Sequence, residues 1–566
     1  MVSSISSILL LSLSLAVSTT AASYDCRPGQ KCWPSLSQWQ QLNASVDGDL
    51  HETIPIAASC YKDSEYYDPQ ACKVVEDYYG DSIIRGKQFE QTYWLNWETC
   101  QTSGCVLLES DPTQTTYANC SIGRLASYYV DAREPSHISS TLKFATAHNI
   151  RISVKNTSHD FYGRFSVPNT LAIWTKNLDN LTAHDCPASN SHNIGELGAG
   201  FVAQDPYYFF SNHSMDIMGG YEESVGLAGG FAEGGGVGSF TTTYGLMADN
   251  AVEFEVVTAD GELRVINQCN DADFFFRRCS STHLFTANFT NAGPHTNATE
   301  NVALREILTE HAQRQIGWSA QLITGQIEYF PEKFAVSLAL VYGDNGSKLK
   351  AATADFDRYL RNRTDLSVSE HGYNSYTNYA QYLTVTAAET KITEPSGIFS
   401  LLSPRLIPTK VFTDPKPIDE LVEGVLQGIA TARSLLDLSG TQIVSETPLT
   451  NSNADESSAV NPAWRDALWH VIHVGEWLEP MDDSVLRSTA EGILHTVDPL
   501  KALSPGGGAY LNEASYLEPD WEQTYFGSFY DRLLEVKNRY DPTHIFGCWK
   551  CVGWRGEADP FYSCYA

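Results

Sequence analysis

Positive charge is scarce in this chain, and so are long apolar segments. Its 566 residues carry 37 Lys and Arg against 68 Asp and Glu, a formal net charge of 37 − 68 = −31. A surface this acidic repels nucleic acid and anionic membranes, so neither is expected as a partner. The sequence also lacks internal repeats and low-complexity tracts. Its length exceeds what one compact core accommodates, which favours two or more lobes.

The most apolar run, from Ile8 to Val17, is too short to span a bilayer, and no Lys or Arg precedes it. Small residues follow, ending near Ala21 to Ser23, as in a cleavable secretory signal. We therefore predict a signal peptide over residues 1–23 and a secreted protein; the alternative is an ordinary buried segment. Several Asn-x-Ser/Thr sequons, Asn156 among them, favour the secretory route.

Ten of the thirteen cysteines cluster early, from Cys26 to Cys120, or late, from Cys548 to Cys564. In an oxidising compartment they predict disulfides that tie down an irregular N-terminal segment, residues 24–119, and the tail. The odd count leaves at least one cysteine unpaired or in another role. Cys548 and Cys551 form a CxxC, but no second CxxC or CxxC–His pattern supports a zinc site, and no metal is expected.

From about residue 120 onward, sequence patterns typical of strands alternate with patterns typical of helices. The spacing predicts helices over residues 135–149, 347–360, 417–436 and 529–540. It predicts strands over residues 151–155, 171–175, 251–257, 263–266 and within 321–341, with a hairpin turn at Asp260-Gly261.

Two loops carry the candidate cofactor chemistry. The first, VKNTSHDFYG over residues 154–163, follows a strand and can present backbone N–H groups to an anionic ligand. His159 lies inside it; taken alone, such a histidine is more simply a surface or hydrogen-bonded residue. The second loop, residues 224–250, is dense in glycine, which permits close approach of backbone to a flat, charged ligand. It is neither a Walker loop nor a Rossmann fingerprint.

Together the loops resemble the vanillyl-alcohol oxidase superfamily, in the berberine bridge enzyme-like branch that contains secreted fungal FAD-linked oxidases. VKNTSHDFYGR resembles the block whose histidine bonds covalently to the flavin, and SVGLAGGFAEGGG with YGLMADN resembles the second cofactor block. NPAWRDALWH, AYLNEA, EPDW and YDRLLEVKNRYDP resemble the C-terminal blocks. The resemblance implies an α+β fold with a two-lobed PCMH-type FAD-binding domain over residues 120–300. A substrate domain built on an antiparallel sheet would follow over 301–495, and residues 496–566 would return to the FAD domain.

Carried over by position, the resemblance implies FAD attached covalently through His159 alone, because Glu222 stands where some relatives carry a second, cysteinyl link. Val225 matches a position where a small residue admits dioxygen, which favours an oxidase. The other implied cofactor-binding residues are Lys155, Asn156, Thr157, Ser158, Asp160, Gly226, Gly229, Gly230, Gly234, Gly235, Gly236, Gly238, Tyr244, Gly245, Leu246, Asp249 and Asn250.

The chain departs from the family pattern in three places. Residues 271–300 lack the expected glycine run, Ser158 replaces a glycine, and Val237 stands where a histidine is common. Remodelling of residues 271–300 motivates one non-enzyme alternative, a flavin-free secreted pseudoenzyme or binding protein.

Flavin oxidation of a C–H donor requires a protein base. AYLNEA reads as a strand, so Tyr510 and Asn512 are expected on one face and Glu513 on the other. A tyrosinate or Glu513 could be the base, and the alternative for each is a packed strand residue. His470 and Asp466, expected on a helix after Trp464, can equally be structural.

The sequence thus predicts a monomeric, secreted oxidase that yields hydrogen peroxide, with a small-molecule substrate and dioxygen as its partners. Resemblance to isoamyl alcohol oxidase-like proteins favours a small alcohol as substrate. The alternatives within the enzyme class are a carbohydrate oxidase and an oxidative tailoring enzyme of secondary metabolism.

Overall fold

The computed structural model describes most of the chain beyond the predicted signal peptide. The described residues are 25–108, 110–185, 193–213, 215–251, 253–267, 282–291, 298–330, 333–340, 346–376, 378–384, 396–448 and 458–565. Cys186, Cys269 and Cys279, and much of the atypical stretch 271–300, lie outside these residues.

A four-stranded sheet forms the centre of the first lobe. Its strands, in spatial order, are Leu50–Glu52, Tyr128–Asp131, Leu171–Trp174 and Ile152–Lys155, the last three of them parallel. Helix Pro135–His148 packs on this sheet through Leu142 and Ala145, which have no exposed surface. Pro135 opens the helix and Asn149, at φ 54°, ends it in the left-handed conformation. The predicted helix and both predicted strands are confirmed to within two residues.

The predicted hairpin is also confirmed. Strand Glu253–Val257 pairs in antiparallel register with Leu263–Asn267 around Gly261, which adopts φ 79°. A turn that needs positive φ suits glycine, as the Asp-Gly signal indicated.

A seven-stranded antiparallel sheet forms the second lobe. The strand Thr282–Asn291 joins it, although the sequence placed this segment before the boundary at residue 300. The spatial order of the strands is Leu366–Tyr376, Thr282–Asn291, Lys333–Leu340, Thr324–Tyr329, Leu438–Val444, Ala467–Trp477 and Phe399–Pro408.

Helices cover one face of this large sheet and leave the other for a cavity. In strand Ala467–Trp477, Trp469 and Val471 are fully buried in the apolar core, whereas His470 and Glu476 line the cavity. This is the two-residue alternation of a strand whose two faces meet different surroundings. The helices on the covered side are Val302–Ser319, Ser347–Arg361, Pro415–Leu435, Asp483–Leu494 and Asp498–Leu503.

Short elements and disulfides complete the described chain. The disulfides are Cys26–Cys32, Cys60–Cys72, Cys100–Cys564, Cys105–Cys120 and Cys548–Cys551. The remaining α-helices are Leu36–Ser45, Pro69–Tyr78, Ser82–Arg85, Gln204–Asn212, Thr241–Tyr244, Met247–Asn250 and Tyr530–Tyr540. The remaining strands are Leu107–Leu108, Asp111–Thr115, Leu181–Asp185 and Asn193–Leu197. No helix among the described residues has both the length and the apolar character needed to cross a bilayer.

Two local predictions are wrong. AYLNEA is not a strand: Leu511–Glu513 form a 3-10 turn, closed by a hydrogen bond from the Glu513 N–H to the Tyr510 carbonyl at 3.2 Å. His470 is not helical, because after the single turn Pro462–Asp466 the chain enters strand Ala467–Trp477. That strand pairs with a neighbour on each side, and these pairings override the helical spacing.

Candidate cofactor and substrate site

One large cavity, of about 1960 Å³, lies where the two loops of the first lobe face the large sheet. Its walls include both sequence motifs, the uncovered face of the sheet and residues 509–513. Pockets for a single small ligand rarely exceed about 1,000 Å³. The volume therefore suits a large cofactor together with a substrate.

His159 is placed at the cavity wall by the turn that follows strand Ile152–Lys155. Its Nε2 lies 2.7 Å from Ser224 Oγ, and its ring packs against Tyr93 with centroids 4.1 Å apart. Burial lowers the pKa of the His159 imidazole to about 3, so the ring is neutral. A neutral imidazole keeps one nitrogen lone pair, which is what a bond to an electrophilic carbon requires.

The loop around His159 adopts an unusual backbone conformation. Ser158, the residue that replaces the family's glycine, lies at φ 70°, in the left-handed region. Its Oγ accepts the Tyr93 N–H at 3.2 Å. Local hydrogen bonding thus compensates for a side chain where glycine is usual.

The glycine block fits a flat ligand that approaches the backbone closely. A Cβ at Gly229 or Gly230 would meet no atom within 4 Å, so these backbones are open to the cavity. A Cβ at Gly226 or Gly234 would instead collide with Asn156 or Asn512, at 2.3 and 2.1 Å. The residues present are compatible with a bound FAD, with some glycines leaving room for it and others packing the loops together.

The structure divides the predicted cofactor residues into two groups. Those that line the cavity are Asn156, Thr157, Ser158, His159, Asp160, Val225, Gly226, Gly229, Gly230, Gly234, Tyr244 and Asn250. Those that do not line it are Lys155, Gly235, Gly236, Gly238, Gly245, Leu246 and Asp249.

Lys155 holds the first lobe to the N-terminal segment. Its buried ammonium donates to the carbonyls of Gln88 at 3.1 Å and Phe89 at 2.7 Å, and also to that of Gln91. Burial lowers the pKa of Lys155 to about 7. Its contacts are therefore with the protein backbone beneath the His159 loop.

Asp249 braces the end of the glycine block. Its carboxylate accepts two hydrogen bonds of 2.6 Å from Arg465 and one of 2.9 Å from the Leu246 N–H. The Asp249 side chain is 2% exposed and that of Arg465 is 23% exposed. The bidentate pair fixes the glycine block against the segment that leads into strand Ala467–Trp477 of the large sheet.

Tyr510, Asn512 and Glu513 all line the cavity, because the 3-10 turn replaces the alternation of a strand. The Tyr510 hydroxyl accepts the Asn512 amide at 2.9 Å and the Val237 N–H at 3.3 Å. Asn512 in turn accepts Arg164 at 3.3 Å, and Arg164 pairs with Asp160. These bonds join the C-terminal segment to the His159 loop.

Glu513 lies beside a histidine that sequence reasoning misplaced. His470 Nδ1 is 3.4 Å from Glu513 Oε2, and burial lowers the pKa of His470 to about 3. Burial raises the pKa of the Glu513 carboxyl to about 7, and it raises that of the Tyr510 hydroxyl above its ordinary value. Of the two candidate bases, only Glu513 therefore titrates near neutral pH.

Sequence reasoning missed two carboxylates on the cavity face of the sheet, Glu328 and Glu476. Burial, and then the charge of Glu328, raise the pKa of Glu476 to about 8, and burial also raises that of Glu328. Within the described residues neither carboxylate has a hydrogen-bonding partner. The available signal was a charged residue inside an otherwise apolar, alternating strand.

Two family matches cover the motifs at this site. Residues 126–267 match the family described as FAD binding domain, and residues 509–550 match that described as berberine and berberine like. An FAD-linked oxidoreductase of Gibberella zeae is 26% identical over 96% of this chain and 95% of its own length. A bifunctional decalin synthase of Penicillium decumbens is 27% identical over 96% of both chains.

A solved structure shares the architecture. The crystal structure of a VAO-type flavoprotein from Myceliophthora thermophila superposes with a TM-score of 0.80 and 24% identity, over 94% of this chain and 97% of that one. The predicted α+β architecture, with an FAD-binding domain and a large antiparallel sheet, is confirmed.

Proposed function

We propose that the protein is a secreted oxidase of a small alcohol or related C–H donor. The proposal starts from its type, an FAD-linked oxidoreductase of the vanillyl-alcohol oxidase and berberine bridge enzyme kind. Its FAD would be attached covalently through His159 alone. When bound, FAD accepts a hydride from the substrate carbon and is reoxidised by dioxygen, which leaves as hydrogen peroxide.

The observation that carries the proposal is the meeting of two distant motifs across one cavity. The His159 loop and the 510–513 turn both line it, and Arg164 and Asn512 join them by a hydrogen bond of 3.3 Å. A cofactor held by the first motif would thus share its cavity with the ionisable side chains of the second. That is the arrangement an oxidase needs.

Within this proposal Glu513 is the base. Its carboxyl is half ionised near pH 7 and lies in the cavity, and the neutral His470 beside it can donate from Nδ1 to hold the carboxylate in place. Tyr510 and Asn512 orient the substrate or the cofactor through their linked polar groups. The alternative base is Tyr510, whose raised pKa makes the tyrosinate rare at neutral pH.

The test begins with an absorbance spectrum of the purified protein, taken before and after acid precipitation, and a mass measurement on the His159 peptide. We expect a flavin spectrum that stays with the pellet and an FAD-sized mass on that peptide. Peroxide release is then measured with a panel of alcohols. FAD that is lost on precipitation, with an unmodified His159 peptide in the wild type, would overturn covalent attachment.

An oxidative tailoring enzyme of secondary metabolism is the second candidate. It is favoured by the likeness to a named decalin synthase and by a cavity larger than a small alcohol needs. Peroxide release only with polycyclic or polyketide-like donors would establish this alternative. A carbohydrate oxidase would instead respond to sugars, and the matches to FAD-dependent enzymes give no support to a flavin-free binding protein.

Secretion is supported by the five disulfides among the described residues, because such bonds persist in oxidising compartments. Sequencing of the mature N-terminus should begin near residue 24. The Asn156 sequon should carry no glycan, because this side chain lines the cavity beside the glycine block. A glycan on Asn156 would contradict the placement of FAD there.

A further inference from the structure

Three polar side chains run in series from the Glu222 carboxylate to the His159 ring. The Ser224 hydroxyl donates to Glu222 Oε2 at 3.0 Å, and Ser224 Oγ lies 2.7 Å from His159 Nε2. Glu222 Oε2 also accepts the Ser224 backbone N–H at 2.5 Å. Ser224 has no exposed surface, so its hydroxyl is shielded from water.

The direction of these hydrogen bonds fixes the tautomer of the histidine. An ionised carboxylate can only accept, so the Ser224 proton points to Glu222 and Ser224 Oγ must accept from the ring. The neutral His159 therefore carries its single proton on Nε2 and leaves a lone pair on Nδ1. Among the described residues, the side-chain hydrogen bond of the ring joins Nε2 to Ser224 Oγ, the Ser224 backbone is a further polar neighbour, and the ring lines the cavity.

We propose that Glu222, acting through Ser224, holds His159 in the tautomer whose Nδ1 lone pair is free, and thereby promotes covalent attachment of FAD. This proposal rests on the attachment at His159 proposed above. Glu222 and Ser224 are positioning residues, because neither bonds to the cofactor. The Glu222 carboxylate would thus position His159 from the sequence position at which some relatives carry a second covalent link.

The covalent attachment of FAD to His159 balances in atoms and electrons when dioxygen is the oxidant. A methyl carbon on the dimethylbenzenoid edge of the flavin loses a proton and forms a bond to His159 Nδ1. The electron pair of the broken C–H bond passes to the flavin ring, which is reduced by two electrons. Dioxygen takes that pair with two protons, one from the methyl group and one from His159 Nε2, and leaves as hydrogen peroxide. The Nε2 proton leaves through Ser224 to Glu222, and Glu222 then releases it to the solvent, from which the peroxide takes its second proton.

The test measures the covalent fraction of FAD, not turnover. Wild type, Glu222→Ala and Ser224→Ala are secreted from one host, and acid-resistant FAD is divided by total bound FAD in each. We expect the covalent fraction, or the rate at which it rises in added FAD and air, to fall about tenfold or more in both variants. Glu222→Gln and Ser224→Thr keep an acceptor and a hydroxyl, and should restore much of it.

Glu223→Ala is the matched control, because this neighbouring carboxylate contacts Gln204 and lies outside the relay. Only molecules that bind FAD enter the ratio, so poor secretion of a variant does not mimic the effect. An unchanged covalent fraction in Glu222→Ala and Ser224→Ala would overturn the relay while leaving attachment intact. Absence of covalent FAD from the wild type would instead overturn attachment itself, and the relay with it.

The position of the bond gives an independent measurement. NMR of the flavin peptide released by proteolysis should show the link at Nδ1 of His159. A link at Nε2 would contradict the proposed tautomer even if the variants lowered the covalent fraction.

Discussion

The two walls of the cavity differ in how far their polar side chains are hydrogen-bonded to the rest of the protein. On the cofactor wall, residues 154–164 and 222–250, several polar side chains are engaged by the protein: Asp160 by Arg164, Thr157 by the Gly226 N–H, and His159 by Ser224. Glu233 is an exception on this wall, because burial raises the pKa of its carboxyl. On the substrate wall, formed by the uncovered face of the large sheet and Glu513, the carboxyls of Glu328 and Glu476 have no hydrogen-bonding partner among the described residues.

This difference suits the two ligands: the cofactor wall is preorganised, and the substrate wall keeps polar groups available for a substrate. A cofactor that stays bound is best held by a wall whose bonds are complete before it arrives. A substrate that enters and leaves needs polar groups that are still available to it. The pKa values of Glu476 and Glu513 are raised because burial disfavours the charged form of each carboxyl, and the charge of Glu328 adds to the effect at Glu476.

The largest expected effect is on the substrate wall. Glu513→Gln should lower the rate of flavin reduction by about 10²- to 10⁴-fold, because the variant has no base at that position. In the wild type the rate should rise with pH through about 7, since the carboxylate form is the base and the pKa lies there. Stopped-flow reduction of the FAD in the absence of dioxygen measures both. An unchanged profile in Glu513→Gln would transfer the role of base to Tyr510.

At the end of the glycine block, behind the cavity lining, Asp249→Ala should lower the stability of the fold. Removing this carboxylate leaves Arg465 without its bidentate partner and the Leu246 N–H without an acceptor. Breaking such a pair lowers the free energy of unfolding by about 3 kcal/mol. Denaturant unfolding of the wild type and the variant measures the loss. A loss of under about 1 kcal/mol would mean that the pair behaves like a surface ion pair.

A smaller effect, of opposite sign, is expected at Glu476. The pKa of the Glu476 carboxyl is about 8 in the folded chain and near 4.5 in the unfolded chain. Between pH 4.5 and pH 8 the folded state therefore keeps a proton on Glu476 that the unfolded state has lost. Stability is therefore lost as pH rises through this window, and Glu476→Gln should remove that slope. With allowance for solvent in the cavity, the variant should gain about 2 kcal/mol over the wild type at pH 8. Denaturant unfolding at pH 5 and pH 8 would show no such gain if Glu476 were ionised in the folded protein.

The smallest effect should come from Ser158, where two changes separate backbone strain from hydrogen bonding. Ser158→Ala keeps φ near 70° but loses the bond to the Tyr93 N–H, and should lower stability by about 1 kcal/mol. Ser158→Gly loses the same bond but relieves the left-handed backbone, and should be more stable than the alanine variant by about 1 kcal/mol. Thermal unfolding of the pair compares them. Equal stabilities would show that the turn carries no strain.

Periodic and glycine-rich signals predicted the fold well. Helix Pro135–His148, the Gly261 hairpin and the motif loops follow from local spacing and turn chemistry, which act over a few residues. The errors arose where distant pairing decides local structure. His470 belongs to a strand because two other strands flank it, and no local pattern carries that information.

The candidate site shows the same limit. The roles predicted for His159 and the glycine block rest on a resemblance carried by short motifs, whereas Ser224 and Glu476 became visible only through their positions in the fold. Lys155 was assigned to the cofactor for its place in the motif. Its side chain instead crosses to the carbonyls of residues 88–91, because a strand sends alternate side chains to opposite faces.

The last described residue bears on how the protein is made in the cell. The Tyr565 hydroxyl donates to the carbonyl of Gly163 at 2.8 Å, and the neighbouring Cys564 is joined to Cys100. These contacts link segments 402 and 464 residues apart in sequence. At ordinary translation speeds of about 5–20 residues per second, the ribosome needs on the order of 20 to 80 s to cover the shorter distance. The carbonyl of Gly163 and the thiol of Cys100 therefore acquire these partners only after residues 564 and 565 have been synthesised.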